Sequence, residues 1–159
     1  MTRRVPDAFA LLDLPRRPWL TPESVRAAFQ RRAAAAHPDV GGNASDFSAL
    51  TWAHETLRSP AARLRYLLEN DPSTQSVPGE LMDLFPQVAR VLRGADRVEE
   101  IGEVQALVAK ELNRAEEDLR SFDLAWPERA GLAALQARFA ILEKWITQLR
   151  EARLRLEIG

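Results

Sequence analysis

Apolar residues recur at spacings of three and four over most of the chain, which is the spacing of one face of an α-helix. In the first half, such runs cover residues 7–14, 21–37, 45–57 and 59–68. No stretch alternates apolar and polar residues for long enough to form a sheet. The pattern therefore predicts an all-α protein.

Start signals delimit the helices of the first half. Thr21-Pro22 and Ser59-Pro60 each combine a hydroxyl N-cap with a proline at the first helical position. Ser45 is expected to cap the third helix. Only about seven residues connect the second and third helices, so these two are predicted to form an antiparallel hairpin.

The second half carries two long apolar stripes, over 98–122 and 128–158, separated by a turn at 126–127. A third run covers 80–92 and contains Pro86, which is expected to kink or split it. These three segments predict a three-helix bundle.

A polar segment divides the two halves. Residues 71–79, Asp-Pro-Ser-Thr-Gln-Ser-Val-Pro-Gly, contain almost nothing apolar, as is typical of a linker. We therefore predict an N-terminal domain over 5–70, a linker over 71–79 and a C-terminal helical bundle over 80–159.

Composition and charge narrow the classes of function. The formal net charge of −1 divides into +3 over residues 1–70 and −4 over 71–159. Neither half has the basic excess of a nucleic-acid-binding surface, so no nucleic-acid partner is expected. The absence of cysteine excludes disulfides, thiol catalysis, zinc knuckles and a self-ligated iron-sulfur cluster.

The chain offers no sequence signal for a membrane. Residues 1–6 lack the apolar segment of a signal peptide, and no window approaches the roughly 18 consecutive apolar residues of a membrane span. We expect a cytoplasmic protein without a membrane partner.

The candidate chemistry lies in His37-Pro38-Asp39, directly before Gly41 and Gly42. Proline lacks an amide hydrogen and disfavours helical dihedrals at the preceding residue, so the second helix should end at His37. The glycines let the chain turn back. An imidazole and a carboxylate are thus expected at an exposed hairpin tip, where packing does not require them and functional residues concentrate.

Two other interpretations of these residues stay open. His37 and Asp39 can form a helix-terminal cap pair without any partner. His37, Asp39, Asp46 and His54 can instead supply metal ligands or acid-base groups in an enzyme. The sequence lacks a matching nucleophile and a glycine-rich phosphate loop, which disfavours the enzyme.

The first half resembles a J-domain. The matching segments are Asp7-Ala-Phe-Ala-Leu-Leu-Asp-Leu, Arg26-Ala-Ala-Phe29, His37-Pro38-Asp39, Leu57-Arg-Ser59-Pro60 and Arg63-Leu-Arg-Tyr66. The tripeptide bracketed by both helices at the family spacing makes this match specific. The resemblance implies a regulator with no catalytic residue, cofactor or metal of its own, which stimulates the ATPase of a DnaK- or HscA-class chaperone. Its implied contact residues are Arg26, Arg31, His37, Pro38 and Asp39.

More narrowly, residues 5–157 resemble HscB, the J-type co-chaperone of iron-sulfur cluster assembly. The additional matches are Leu14-Pro15-Arg16, Arg63-Leu-Arg-Tyr66-Leu67-Leu68, Leu81-Met82 and Arg138-Phe139. The resemblance implies that Leu81, Met82, Phe85 and Phe139 bind an IscU-type scaffold, whose own cysteines hold the cluster. The alternative is a J-domain co-chaperone for general folding or another client, without a role in iron-sulfur assembly.

The chain also departs from the family pattern. The family usually has a tyrosine at the position of Ala36, a leucine at Arg32, a lysine or arginine at Gln30 and a tyrosine at His54. The loop after Asp39 is shorter than in HscB.

The pattern over 80–92 argues independently for an exposed apolar surface. Leu81, Leu84, Val88 and Val91 form one stripe, and Met82, Phe85, Ala89 and Leu92 form another. The two stripes lie about 100° apart around a helix, and one small bundle cannot easily bury both. Part of the second stripe should therefore be exposed, although ordinary core packing of Leu81, Met82 and Phe85 is the alternative.

Overall fold

The protein is described by a computed structural model that covers residues 7–68, 78–123 and 129–159. All secondary structure in these ranges is helical, which confirms the predicted all-α class. None of the helices in these ranges is long and apolar enough to cross a membrane. The chain divides into two compact units, Met1–Asn70 and Asp71–Gly159. Residues 1–6, most of the predicted linker and the predicted turn at 126–127 lie outside the described residues.

Residues 7–68 of the first unit form four α-helices. They are α1 (Ala8–Leu11), α2 (Pro22–Ala36), α3 (Ala44–Leu57) and α4 (Pro60–Leu67). Helices α2 and α4 start as predicted, because the Thr21 hydroxyl accepts from the Ser24 amide at 3.2 Å and the Ser59 hydroxyl from the Ala62 amide at 3.1 Å.

The predicted cap of α3 is wrong. Asn43 is the N-cap, and its Oδ1 accepts from the Asp46 amide at 3.0 Å. Asn43 has the extended backbone that a cap requires (φ −113°, ψ 147°), whereas Ser45 already lies inside the helix.

The first helix is shorter than the predicted 7–14. Asp13 adopts φ 58°, and its amide donates to the Ala10 carbonyl at 3.1 Å while the Leu14 amide donates to the Phe9 carbonyl at 2.9 Å. This is a Schellman closure with an aspartate in the left-handed position where glycine is usual. It ends the helix before Pro15 is reached.

Helices α2 and α3 form the predicted antiparallel hairpin. Phe29 stacks on His54 with ring centroids 4.5 Å apart, and nearer the tip His37 meets Phe47 edge-on at 5.7 Å. The facing stripes bury Val25, Ala28, Leu50, Ala53 and Leu57. Arg32 lies within the predicted apolar stripe of α2 but is exposed, so it does not place its charge in the core.

A buried arginine ties α4 to the rest of the first unit. Arg63 is 1% exposed, and its guanidinium donates to the carbonyls of Pro18 at 2.7 Å and Leu57 at 2.8 Å. These contacts satisfy carbonyls of the α1–α2 connection and of the end of α3, and they offset part of the cost of burying the charge. The J-domain resemblance includes Arg63 as a motif residue, but its burial and its bonds to the two carbonyls are seen only in the structure.

Tyr66 anchors the start of α1. Its hydroxyl accepts from the Ala8 amide at 3.0 Å and donates to Asp7 Oδ1 at 2.9 Å. Burial raises the pKa of the Tyr66 hydroxyl above its ordinary value of 10.0, and the bond to Asp7 acts in the same direction. The folded state therefore favours the neutral phenol.

We expect Tyr66→Phe to lower the free energy of unfolding at pH 7 by about 1 to 2 kcal/mol, because the Ala8 amide and Asp7 lose a partner. The stabilisation from the neutral phenol is fully present below pH 10.0 and is lost as pH rises through the raised pKa. Urea unfolding between pH 7 and pH 11 checks this. The difference in the free energy of unfolding between wild type and variant should become smaller at high pH. A difference that does not change with pH would contradict the role of the phenol proton.

The second unit is the predicted three-helix bundle. Its described part contains a 3₁₀ turn at Gly79–Leu81, followed by α5 (Phe85–Gly94), α6 (Val98–Asp123) and α7 (Arg129–Ile158). Pro86 splits the 80–92 segment as expected and lies in the first turn of α5, where its missing amide costs nothing. Helices α6 and α7 are antiparallel, since Gln105 bonds to Arg153 at 3.1 Å and Asp118 to Arg138 at 2.6 Å.

Candidate functional site

The His37-Pro38-Asp39 loop forms the tip of the hairpin, as predicted. Helix α2 ends at Ala36, and His37 takes an extended conformation (φ −65°, ψ 137°), as expected before proline. Pro38–Val40 forms a single 3₁₀ turn. The His37 carbonyl accepts from the amides of both Val40 and Gly42 at 3.0 Å, which closes the loop.

The two glycines of the loop serve different purposes. Gly41 has φ 87°, a left-handed conformation that strains other residues. A Cβ at Gly42 would overlap the backbone carbonyl of Ala36, so that only glycine lets the returning chain pass this close to the end of α2. Both positions keep the tip short.

The side chains of the tip are ordered by local contacts. His37 Nδ1 accepts from the Asp39 amide at 3.2 Å and lies 3.4 Å from Asp39 Oδ2. The Asp39 carboxylate is 88% exposed, whereas the His37 side chain is 47% exposed and packs edge-on against Phe47. The loop therefore directs its negative charge into solvent.

Arg26 and Arg31 are both exposed on α2, and neither forms a hydrogen bond or ion pair with the described residues. They lie about 140° apart around the helix axis, on opposite flanks of the buried stripe. Arg31 is about 9 Å of helix rise from His37, and Arg26 about 16 Å. The structure brings His37 and Asp39 together, and it leaves two separate cations along the helix that leads to them.

The residues of the metal interpretation are spread over the hairpin. His54 stacks nearly parallel on Phe29, with 27° between the ring planes. Within 7–68, 78–123 and 129–159, no three His, Cys, Asp or Glu side chains are grouped so that they could hold a metal ion. His54 is half-buried, and its ring contact with Phe29 is a packing contact.

The predicted scaffold surface is only partly exposed. Met82 is 57% exposed and Phe85 is 47% exposed, while Leu84, Val88 and Val91 are buried. Leu81 and Phe139 are fully buried at 0% exposure. These two residues are core, because Leu81 closes the 3₁₀ turn onto the bundle and Phe139 lies on the inner stripe of α7.

Trp145, which the sequence pattern did not single out, supports the exposed pair. Its ring lies 6.3 Å from that of Phe85 and is only 5% exposed. Trp145 follows Leu142 by three positions and precedes Leu149 by four. The predicted core stripe of this helix included Ile146 at this turn instead, but Trp145 is the buried residue and Ile146 is only half-buried. We name Met82 and Phe85, with Trp145 beneath Phe85, the α5 patch.

A cavity of about 450 Å³ opens beside the tip. Its walls come from α1, the end of α2 and the start of α3, and include Leu11, Arg32, Ala36 and Leu50. Ala36 and Arg32 are two of the four positions at which the sequence departs from the J-domain pattern that it resembles, which usually has tyrosine and leucine there. Smaller or outward-pointing side chains thus leave space that larger apolar ones would fill.

We expect Ala36→Leu to raise the free energy of unfolding by about 0.5 to 2 kcal/mol, because the added side chain fills this space and buries apolar area. Thermal or urea unfolding measures the change. Ala34→Leu is the matched control, since Ala34 is exposed on the same helix and does not line the cavity. If both substitutions change the free energy of unfolding equally, the gain does not come from filling the cavity.

Comparisons with known proteins place the fold. No protein-family model and no curated sequence matched the chain. Among solved structures, the chaperone HscB from Vibrio cholerae is similar, with a TM-score of 0.72 and 19% identity over 95% of this chain and 99% of that chain. The human co-chaperone protein HscB is similar too, with a TM-score of 0.63 and 18% identity over 92% of this chain and 85% of that chain. The chain therefore has the fold of the HscB co-chaperones, which confirms at the level of fold the resemblance inferred from its motifs.

Proposed function

We propose that this protein is a J-domain co-chaperone of the HscB type, which stimulates the ATPase of a DnaK/HscA-class chaperone and delivers an IscU-type scaffold to it. The observation that carries this proposal is the exposed His37-Pro38-Asp39 tip on a chain whose fold matches HscB over nearly its whole length. Residues 5–70 would bind the chaperone and residues 80–159 the scaffold.

The proposed mechanism is a shift of the chaperone between conformations. A loop can accelerate hydrolysis in a partner only if it binds one conformation of that partner better than the other. Asp39 is suited to this because its carboxylate is 88% exposed and its position is fixed by the short loop. A cation of the chaperone that is accessible in one state would form a charge-assisted hydrogen bond with it.

The test of this step is steady-state phosphate release. The protein alone should release no phosphate from ATP, and its addition to a DnaK/HscA-class chaperone should raise the rate of that chaperone. Hydrolysis by the isolated protein, or an unchanged chaperone rate, would contradict the proposal.

Arg26 and Arg31 would supply the electrostatic part of the encounter. Charges at the rim of an interface act mainly on the association rate, so Arg31→Glu should lower the on-rate for the chaperone more than it raises the off-rate. Surface-binding kinetics at several salt concentrations measure both rates. Arg155→Glu in the second unit is the matched control, since Arg155 is likewise exposed. An on-rate for the wild type that does not fall with salt would rule out this role.

For the scaffold we propose the α5 patch as the contact surface. Met82 and Phe85 are two exposed apolar side chains three positions apart, and methionine adapts well to irregular partner surfaces. Leu81 and Phe139 would contribute indirectly, because they are buried in the core of the bundle that carries the patch.

One observation favours a second candidate function. Only two of the four residues implied by the HscB resemblance are exposed, so the apolar surface available to a scaffold is small. A J-domain co-chaperone for general folding or another client would need only the tip and the flanking arginines. Calorimetric titration with an IscU-type scaffold separates the two, since heat of binding supports the scaffold and its absence supports the other client.

A further inference from the structure

His37 lies between two helical segments and has the backbone of an N-cap. The residue before it ends α2, the residue after it starts the 3₁₀ turn Pro38–Val40, and its ψ is 137°. An N-cap residue accepts a hydrogen bond from an amide in the turn that follows, usually through a serine, threonine, aspartate or asparagine oxygen. Pro38 has no amide hydrogen, so Asp39 offers the first amide that needs an acceptor.

The acceptor for that amide is the imidazole of His37. The Asp39 nitrogen lies 3.2 Å from His37 Nδ1. A ring nitrogen accepts a hydrogen bond only when it carries no proton. This geometry is that of the tautomer with its proton on Nε2, because an Nδ1–H would face the Asp39 amide N–H at 3.2 Å, which is nearer than the Asp39 Oδ2 acceptor at 3.4 Å.

Other contacts fix the ring and its backbone in this arrangement. The ring edge packs on Phe47 at 5.7 Å, and the His37 carbonyl accepts from the amides of Val40 and Gly42. Among the described residues, the charged group paired with the ring is the Asp39 carboxylate, at 3.4 Å from Nδ1. The carbonyl and Nδ1 of His37 thus both accept hydrogen bonds from within the loop, whereas the Asp39 carboxylate is 88% exposed to solvent.

We infer that His37 is a positioning residue that caps the 3₁₀ turn through unprotonated Nδ1, and that it therefore acts on the chaperone only through the Asp39 contact of the proposed function. The inference rests on the proposed function for its second half only, since the capping is a property of the free protein. The three residues of the loop then have different roles: His37 caps the 3₁₀ turn, Pro38 starts it and Asp39 contacts the chaperone.

The tautomer is measured on the full-length protein without a partner. Long-range nitrogen-proton NMR spectra of the two histidines distinguish Nδ1 from Nε2 protonation, and His37→Asn assigns the signals. At pH 8 we expect His37 to carry its proton on Nε2 alone. A proton on Nδ1, or an even mixture of tautomers, would overturn the capping whether or not the protein acts on a chaperone.

Substitutions test the division of roles. Asparagine places Oδ1 the same number of bonds from the backbone as His37 Nδ1 and commonly accepts from the amide two residues on. Glutamine and alanine cannot do so in the same geometry. In phosphate release by a DnaK-class chaperone, at a co-chaperone concentration below saturation, His37→Asn should stay within about threefold of wild type, while His37→Gln and His37→Ala fall by up to about 30-fold, the range of a lost N-cap.

The outcomes are distinguishable. If His37→Asn falls as far as His37→Ala while wild type stimulates, the ring itself contacts the chaperone and the inference fails. If wild type does not stimulate, the proposed function fails, and the NMR measurement still decides the capping.

Discussion

Asp39→Asn is expected to remove the stimulation of the chaperone ATPase. The substitution keeps the size of the side chain and the amide that donates to His37 Nδ1, but it removes the exposed negative charge. A charge-assisted hydrogen bond to a partner contributes about 1.5 to 3 kcal/mol, so the stimulated rate below saturation should fall by roughly 10-fold to 150-fold. Phosphate release measures the rate, and circular dichroism should record unchanged helicity.

Two controls accompany this variant. Glu23→Gln neutralises another exposed carboxylate of α2, at the end of the helix away from the tip, and should leave stimulation unchanged. His37→Gln should lower stimulation by up to about 30-fold, because it releases the cap of the loop. If Asp39→Asn stimulates as well as wild type, Asp39 is not the contact, and a loss of helicity would make it a structural residue.

Removing the α5 patch is expected to have the second large effect. The double substitution Met82→Ala and Phe85→Ala should weaken the binding of an IscU-type scaffold by about 1 to 3 kcal/mol, the range of hot-spot side chains. Because both side chains are about half exposed, their removal leaves no large internal cavity. Stimulation of the chaperone through the first unit should persist.

The matched control replaces exposed apolar side chains elsewhere in the bundle. Leu107 on α6 and Leu154 on α7 are 40% and 50% exposed, close to the values for Phe85 and Met82. Their double replacement by alanine removes a comparable exposed apolar area and should leave scaffold affinity unchanged. Normal binding by the Met82 and Phe85 double variant would contradict the patch, and its unfolding would show that these side chains are core.

Helix positions were predictable because local chemistry sets them. The period of the apolar residues and the caps at Thr21 and Ser59 gave the starts of α2 and α4, and Pro86 gave the break before α5. The errors came where two residues offer similar chemistry. Asn43 and Ser45 are both good caps, and the backbone angles that choose between them are set by the closing of the loop.

The sequence was enough to predict which residues form the candidate site, but not which role each of them has. The sequence places His37 and Asp39 at an exposed tip, yet only coordinates reveal that His37 Nδ1 faces the Asp39 amide. Likewise, periodicity separates two stripes over 80–92 but cannot decide which residues the other two helices cover. The burial of Leu81 and Phe139 beside exposed Met82 and Phe85 depends on tertiary packing.

The proposed function requires this one chain to couple a scaffold to a chaperone ATPase. Phosphate release by an HscA-class chaperone tests it directly, with the protein and an IscU-type scaffold added singly and together. We expect the protein alone to stimulate and the pair to stimulate more than either component, with Asp39→Asn abolishing both effects and the Met82 and Phe85 double variant abolishing only the contribution that depends on the pair. A chaperone rate that the protein leaves unchanged, with or without scaffold, would contradict the claim.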